Sequence, residues 1–280
     1  MADGAYRWQG QAPTPDSARV DAIHDAWSEA EVGAFAEPIR AGAVEKIERA
    51  LAAARTGDLT EAHAQLTHAR SLLADLRPEA LEPRRGLAGL FDSRSGRLKA
   101  FRETWKRAAA SLDQVASDLS DRVAGAARRS GALDTAWTDI RDALVELDAH
   151  LLAAARRLSG RETIEATPDP LPGRMKTLDA CRAASLNALP LIRHAQGAEG
   201  RSVDALKACT EGVGAWRDEW KDALGLAGKK PKKVRPDPDR LGRARDALMV
   251  QIDRALAELT TARTRRADVE GRLASLRQGL

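Results

Sequence analysis

Residues 171–226 read LPGRMKTLDACRAASLNALPLIRHAQGAEGRSVDALKACTEGVGAWRDEWKDALGL. Leu171, Met175, Leu178, Ser185, Leu189, Ile192, Val203, Leu206, Val213 and Trp220 recur at helical spacing along it. The same period lands on Arg182, Gln196, Glu199 and Thr210. One apolar stripe sustained over this length predicts a long helical segment around which the other elements pack. Pro190 has no N–H and is expected to kink that segment or divide it. The polar members of the stripe need partners, since an unsatisfied buried polar group costs on the order of 1–3 kcal/mol.

Working outward, residues 227–238 form a basic linker with Lys229, Lys230, Lys232, Lys233, Arg235 and three prolines. Residues 239–280 carry a heptad stripe from Leu241 to Leu276, with Arg245 and Arg266 on it, read as snorkelling at its edge. Before the central stretch, Pro168, Pro170 and Pro172 mark a break. Two strong helical patterns precede it, Leu98–Val123 and Leu133–Leu158. Arg129-Ser-Gly131 between them is expected to reverse the chain, giving an antiparallel hairpin over 95–158. Residues 77–96, with Pro78, Pro83, Gly86, Gly89 and Gly96, read as a loop. Its apolar patch, including Leu87, Leu90 and Phe91, is flanked by Arg84, Arg85, Arg94 and Arg97. That patch reads as a plug on a bundle end, or as a contact for a partner or membrane surface. Upstream, Pro15 and Asp16 open a helix, Pro38 marks a break, and Thr60 is expected to cap the next helix. Residues 1–15 read as a disordered tail and 16–226 as the helical body. The expectation is an all-α fold: an elongated bundle of long antiparallel helices with coiled-coil-like packing.

Composition agrees. Charged residues make up 31% and aromatics only 4%, which suits long helices. A net charge of +4 is too small to imply nucleic-acid binding. Cys181 and Cys209 lie about 40 Å apart on one continuous helix, beyond disulfide reach, and free thiols point to a reducing cytoplasm. No apolar run nears the roughly 20 residues of a membrane span, and the N-terminus lacks a signal-peptide core. The expected location is cytoplasmic, with peripheral contact at the inner membrane face as an alternative.

The chemistry-bearing patterns are sparse. Gly225-Leu-Ala-Gly228-Lys229-Lys230 and Gly212-Val-Gly214 lack the strand and spacing of a nucleotide loop. His63 and His68 are five apart, off one helical face, so no metal site is expected. No nucleophile elbow occurs, and no catalytic residue or cofactor is expected. Three features remain. Arg182, Arg193 and Gln196 around Pro190 could hold an oxyanion, or could pair with acids on neighbouring helices. Lys229, Lys230, Lys232 and Lys233 could touch a partner or acidic lipid, or form a solvated linker. Trp216 and Trp220, four apart, read as core. Exposed heptad stripes also permit a homo-oligomer.

Leu171-x-x-Arg174, Leu178, Arg182-x-x-Ser185, Pro190-x-Ile192-Arg193-x-x-Gln196, Trp216 and Ala223-Leu-Gly-Leu226 together resemble the central block of the toxic-anion (tellurite) resistance family of TelA/KlaA type. Arg55-Thr-Gly-Asp58 and the stretch Leu73–Leu81 come in that family's order, so the resemblance spans roughly Pro38 to Leu226. The chain departs from it at Phe101 and Trp105, where the family has tyrosines, and in its lysine-rich linker. The resemblance implies a helical cytoplasmic protein serving tellurite or envelope-stress resistance without a catalytic site, acting as a scaffold or binding protein with protein partners. Direct oxyanion binding and a thiol-dependent reductase at Cys181 or Cys209 are the alternatives.

Overall fold

The computed structural model describes residues 14–55, 57–82, 94–160 and 169–280, except for the side chains of 29–31 and 57–58. Six α-helices account for most of them: α1 (Ser17–Asp25), α2 (Glu37–Ala53), α3 (Gly57–Asp75), α4 (Arg94–Ser159), α5 (Leu171–Ala223) and α6 (Pro238–Gln278). Two 3-10 turns, Glu29–Ala34 and Pro78–Leu81, join them, and no strand occurs among the described residues. The fold is an all-α helical bundle.

Local chemistry sets the ends. The Asp16 carboxylate accepts from the Ala18 N–H and opens α1. Asp237 does the same for α6, accepting from Asp239 and Arg240 at 3.0 and 3.2 Å. The break expected at Pro38 falls just before it: α2 begins at Glu37, and Pro38 stands in its first turn, where its missing N–H leaves no gap. Thr60 lies inside α3, which begins at Gly57, and so is not its cap. Helix α5 ends in a Schellman turn. Leu226 N–H donates to Lys221 O at 2.7 Å and Gly225 N–H to Asp222 O at 2.8 Å. Gly225 has φ 69°, and a Cβ there would meet the Val234 side chain at 2.8 Å, so only glycine fits.

An expected chain reversal is absent, and Pro190 does not divide its helix. Helix α4 runs unbroken through Arg129-Ser-Gly131, so residues 95–158 are one helix and not a hairpin. Gly131 costs a helix about 1 kcal/mol relative to Ala, too little to break a helix whose flanks, Ala126-Ala-Arg-Arg129 and Ala132-Leu133, favour it. Helix α5 likewise continues through Pro190. Pro190 sits on the exposed face, where water can satisfy the carbonyl its ring leaves unbonded.

The chain forms two compact units, and α4, α5 and α6 contribute a portion to each. Unit 1 comprises Met1–Arg55, Arg129–Gly197 and Arg265–Leu280; unit 2 comprises Thr56–Arg128 and Ala198–Thr264. In unit 2, Leu66 and Leu73 of α3, Leu112 and Leu119 of α4, Val213 and Trp216 of α5 and Ile252 and Leu259 of α6 share one apolar core. Each fully buried leucine contributes about 1.5–3 kcal/mol relative to exposure. Phe101, Trp220, Trp216 and Trp105 form an aromatic series there, with consecutive centroids 5.8, 5.2 and 6.5 Å apart. In unit 1, Ile47 of α2, Leu133, Ile140 and Leu144 of α4, Ile192 of α5 and Val269 and Leu273 of α6 form the largest of several smaller clusters. Within unit 1, α4 pairs with α5 through Asp148–Arg182 and Asp134–Arg193, so partners advance in opposite directions and the helices are antiparallel. Within unit 2, Phe101–Trp220 and Trp105–Trp216 show the same for α4 with α5, and Glu219–Arg240 and Glu258–Arg201 for α5 with α6.

Candidate functional site

The site is best found by asking where the arginines go, because most have structural work. A helix C-terminus leaves carbonyls without intrahelical donors and carries partial negative charge. Arginines from other helices meet four such ends. In unit 1, Arg266 donates to Ala54 O (3.4 Å) and Arg55 O at the end of α2, and Arg40 to Leu280 O at 3.3 Å. In unit 2, Arg245 donates to Leu76 O at 3.1 Å just beyond α3, and Arg102 to Leu224 O at 2.9 Å beyond α5. Arg266 is wholly buried, so it does not snorkel from the α6 stripe as its position suggests. Its guanidinium is held inward by those two carbonyls.

The Arg182, Arg193 and Gln196 set is divided. Arg182 is buried in an ion pair with Asp148, which is itself fully buried. It lies eleven residues from Arg193, about 16 Å along the helix. Arg193 and Gln196 do meet: Arg193 donates to Gln196 Oε1 at 2.7 Å and to Asp134 at 2.6 Å. Gln196 Nε2 donates to Ser130 O at 3.1 Å. The Arg193 guanidinium also stacks on Trp137, 4.3 Å from the ring centroid. The Gln196 amide and Arg193 beside it hold the Asp134 carboxyl below its usual range. These side chains are bonded to one another and to Asp134.

The thiols are buried as well. Cys181 and Cys209 are free, and burial pushes both above the usual thiol range, Cys209 to about 11. Such thiols stay protonated at neutral pH, and the thiolate is the nucleophile. Among the described residues, no group of three or more His, Cys, Asp or Glu side chains could hold a metal ion, and no helix is long and apolar enough to cross a membrane.

The basic linker behaves differently from the arginines above. The linker is tied by its main chain: Lys232 N–H donates to Gly225 O at 2.9 Å, and Lys232 O accepts from Arg102 at 2.9 Å. Val234 packs against the Gly225 backbone. So fixed, the linker faces the Pro78–Leu81 turn and the first turns of α4 across a cleft of about 750 Å3 in unit 2. Arg94, Arg97, Arg102, Lys232, Lys233 and Arg235 line it against two carboxylates, Glu82 and Asp239. Leu81, Leu98, Val234 and three prolines supply its apolar part. Arg97 and Arg102 are bound to carbonyls, Arg97 to Ala80 O and Glu82 O at 2.9 and 2.7 Å. Arg94, Lys232, Lys233 and Arg235 form no ion pair among the described residues.

Of the sequence-predicted contact residues, Lys232 and Lys233 line this cleft. Lys229 and Lys230 are exposed beyond it, and Leu87, Leu90 and Phe91 lie outside the described residues. Arg94 and Arg235 complete the cationic set. Their signal in the sequence is basic density on both sides of the apolar patch and along the linker. What sequence could not reveal is that the two segments face each other. No protein-family model matches the chain, and no curated protein or solved structure matches it either.

Proposed function

We propose that this chain is a non-enzymatic helical binding protein of the toxic-anion resistance type, acting through anion recognition at the unit 2 cleft. The observation that carries this reading is the contrast in charge pairing. Arg182, Arg193, Arg217 and Arg240 meet carboxylates, and Arg40, Arg102, Arg245 and Arg266 meet helix ends. Arg94, Lys232, Lys233 and Arg235 share one cleft and form no ion pair among the described residues. Like charges gathered in one cleft repel, and an anion seated among them removes that repulsion.

The residues behind the family resemblance support the reading indirectly. Arg174 bonds Phe35 O at 2.7 Å and pairs with Glu37, Arg182 pairs with Asp148, and Gly225 makes the turn that presents the linker. They maintain the helical frame, and the resemblance adds resistance to tellurite or envelope stress as the cellular role. The protonated, buried thiols favour binding over thiol chemistry.

The test is survival of a tellurite-sensitive bacterial host expressing the chain. Protection should fall with Lys232→Gln, Lys233→Gln and Arg235→Gln combined, and should persist with Cys181→Ser and Cys209→Ser. Protection that ignores the cleft, or that vanishes with the thiols, refutes the reading.

A further inference from the structure

We infer that the unit 2 cleft takes a phosphate ester of nucleotide size, with its charged end on Arg94, Lys233 and Arg235 and its organic body against the apolar wall. This rests on the binding reading above and names the ligand class for the same cleft.

Three observations select that class. The first is charge: six cationic side chains face two carboxylates, and four of the six form no ion pair among the described residues. Two of the four are arginines, whose planar fork matches phosphate oxygens in pairs. The second is size. About 750 Å3 is within the range of small-molecule pockets and far exceeds what a bare oxyanion fills. The third is the wall. Leu81, Leu98, Val234 and the linker prolines would stay wet under a bare oxyanion, whereas a body carrying a flat or apolar face covers them.

The cleft is also prepared in advance. Lys232 is bonded at both its N–H and its carbonyl, and the Gly225 turn fixes where the linker departs from α5. The cations therefore stand on a backbone held before any ligand arrives, which lowers the ordering cost of binding. The same phosphate chemistry could be offered by a lipid headgroup, and the experiment separates the two.

Calorimetric titration of the full chain with ATP, pyrophosphate and inorganic phosphate at low salt reads the preference directly. ATP is expected to bind at least ten-fold more tightly than pyrophosphate, and inorganic phosphate most weakly. Lys233→Gln with Arg235→Gln should weaken ATP at least ten-fold, while Arg193→Gln, in unit 1, should leave it unchanged. Circular dichroism checks that the double variant is folded, and its exposed, unpaired side chains give no reason for it not to be. No heat with ATP, equal affinity for pyrophosphate, or an unaffected double variant overturns the inference. Co-sedimentation with phosphatidylglycerol vesicles that ATP does not displace overturns it too, by assigning the cleft to a headgroup. If ATP fails to bind while tellurite protection still depends on the cleft cations, only the ligand class falls; if both fail, the binding reading falls with it.

Discussion

Unit 1 and unit 2 are built from successive portions of the same three long helices, yet unit 1 buries more charge than unit 2. Unit 1 takes charge inside: Asp148, Arg182 and Arg266 are all buried there, among apolar clusters of modest size. Unit 2 buries Glu199 beside a single larger core with an aromatic series through it, and gathers at a cleft four cations that form no ion pair among the described residues. A buried ion pair is weak evidence for stability, because desolvation offsets much of its attraction, but removing one partner is severe. Unit 1 is therefore sensitive to the loss of a single partner, and unit 2 to the loss of buried area.

The comparison can be broken most directly at Asp148. Asp148→Ala removes the buried carboxylate that Arg182 meets and should cost about 3–5 kcal/mol in urea unfolding. Asp148→Leu with Arg182→Met should recover most of that loss, and failure to recover would show that the pair does more than balance its own desolvation. Next in size is the pair of carbonyl-capping arginines. Arg266→Leu in unit 1 should cost about 2–3 kcal/mol, the value of charge-assisted bonds at a buried helix end. Arg245→Leu in unit 2, whose side chain retains 17% exposure, should cost less. Equal losses would erase the distinction between the units.

Within unit 2, the indoles offer a finer test. Trp220 Nε1 donates to Leu241 O at 3.1 Å, whereas the buried Nε1 atoms of Trp105 and Trp216 have no hydrogen-bond partner among the described residues. Trp220→Phe should therefore cost about 1 kcal/mol more than Trp216→Phe, the net worth of one hydrogen bond. Of similar size and opposite sign, Gly131→Ala should stabilise by about 0.5–1 kcal/mol, since open space surrounds the position and its φ is not positive. Destabilisation there would restore the chain reversal that the sequence suggests.

The smallest effect concerns pH. Bonds from Arg40 and Arg174 hold the Glu37 carboxyl at about 2, below its ordinary 4.5. Its depressed folded-state value means its contribution is complete above the unfolded value and is lost as pH falls from there toward 2. The melting-temperature gap between the wild type and Glu37→Gln should be constant near neutrality, begin to close below about 4.5 and vanish near pH 2. A gap that survives at pH 2 would remove the carboxylate as its source.

The helical class and most element ends were legible in the sequence because they depend on neighbours: the heptads of α6, Asp16 at the start of α1, the prolines before α5. Arg129-Ser-Gly131 misled because a turn-like triplet weighs little against the helix formers around it and against α5 packing beside it. The roles of Arg182, Arg245 and Arg266 were illegible for another reason. Their partners are 34, 169 and 212 residues away in the chain, and periodicity marks a seam without saying what faces it. The cleft shares that limit, since it arises where residues near 80, 95 and 233 come together.

The clasp that Arg102 makes on Leu224 and Lys232 has a wider implication. It grips carbonyls alone, so it is indifferent to which side chains the linker displays. Lysine, arginine or a neutral residue can be exchanged along that ribbon without loosening its attachment. The charge pattern of the linker can thus be retuned by substitution while the scaffold beneath stays unchanged.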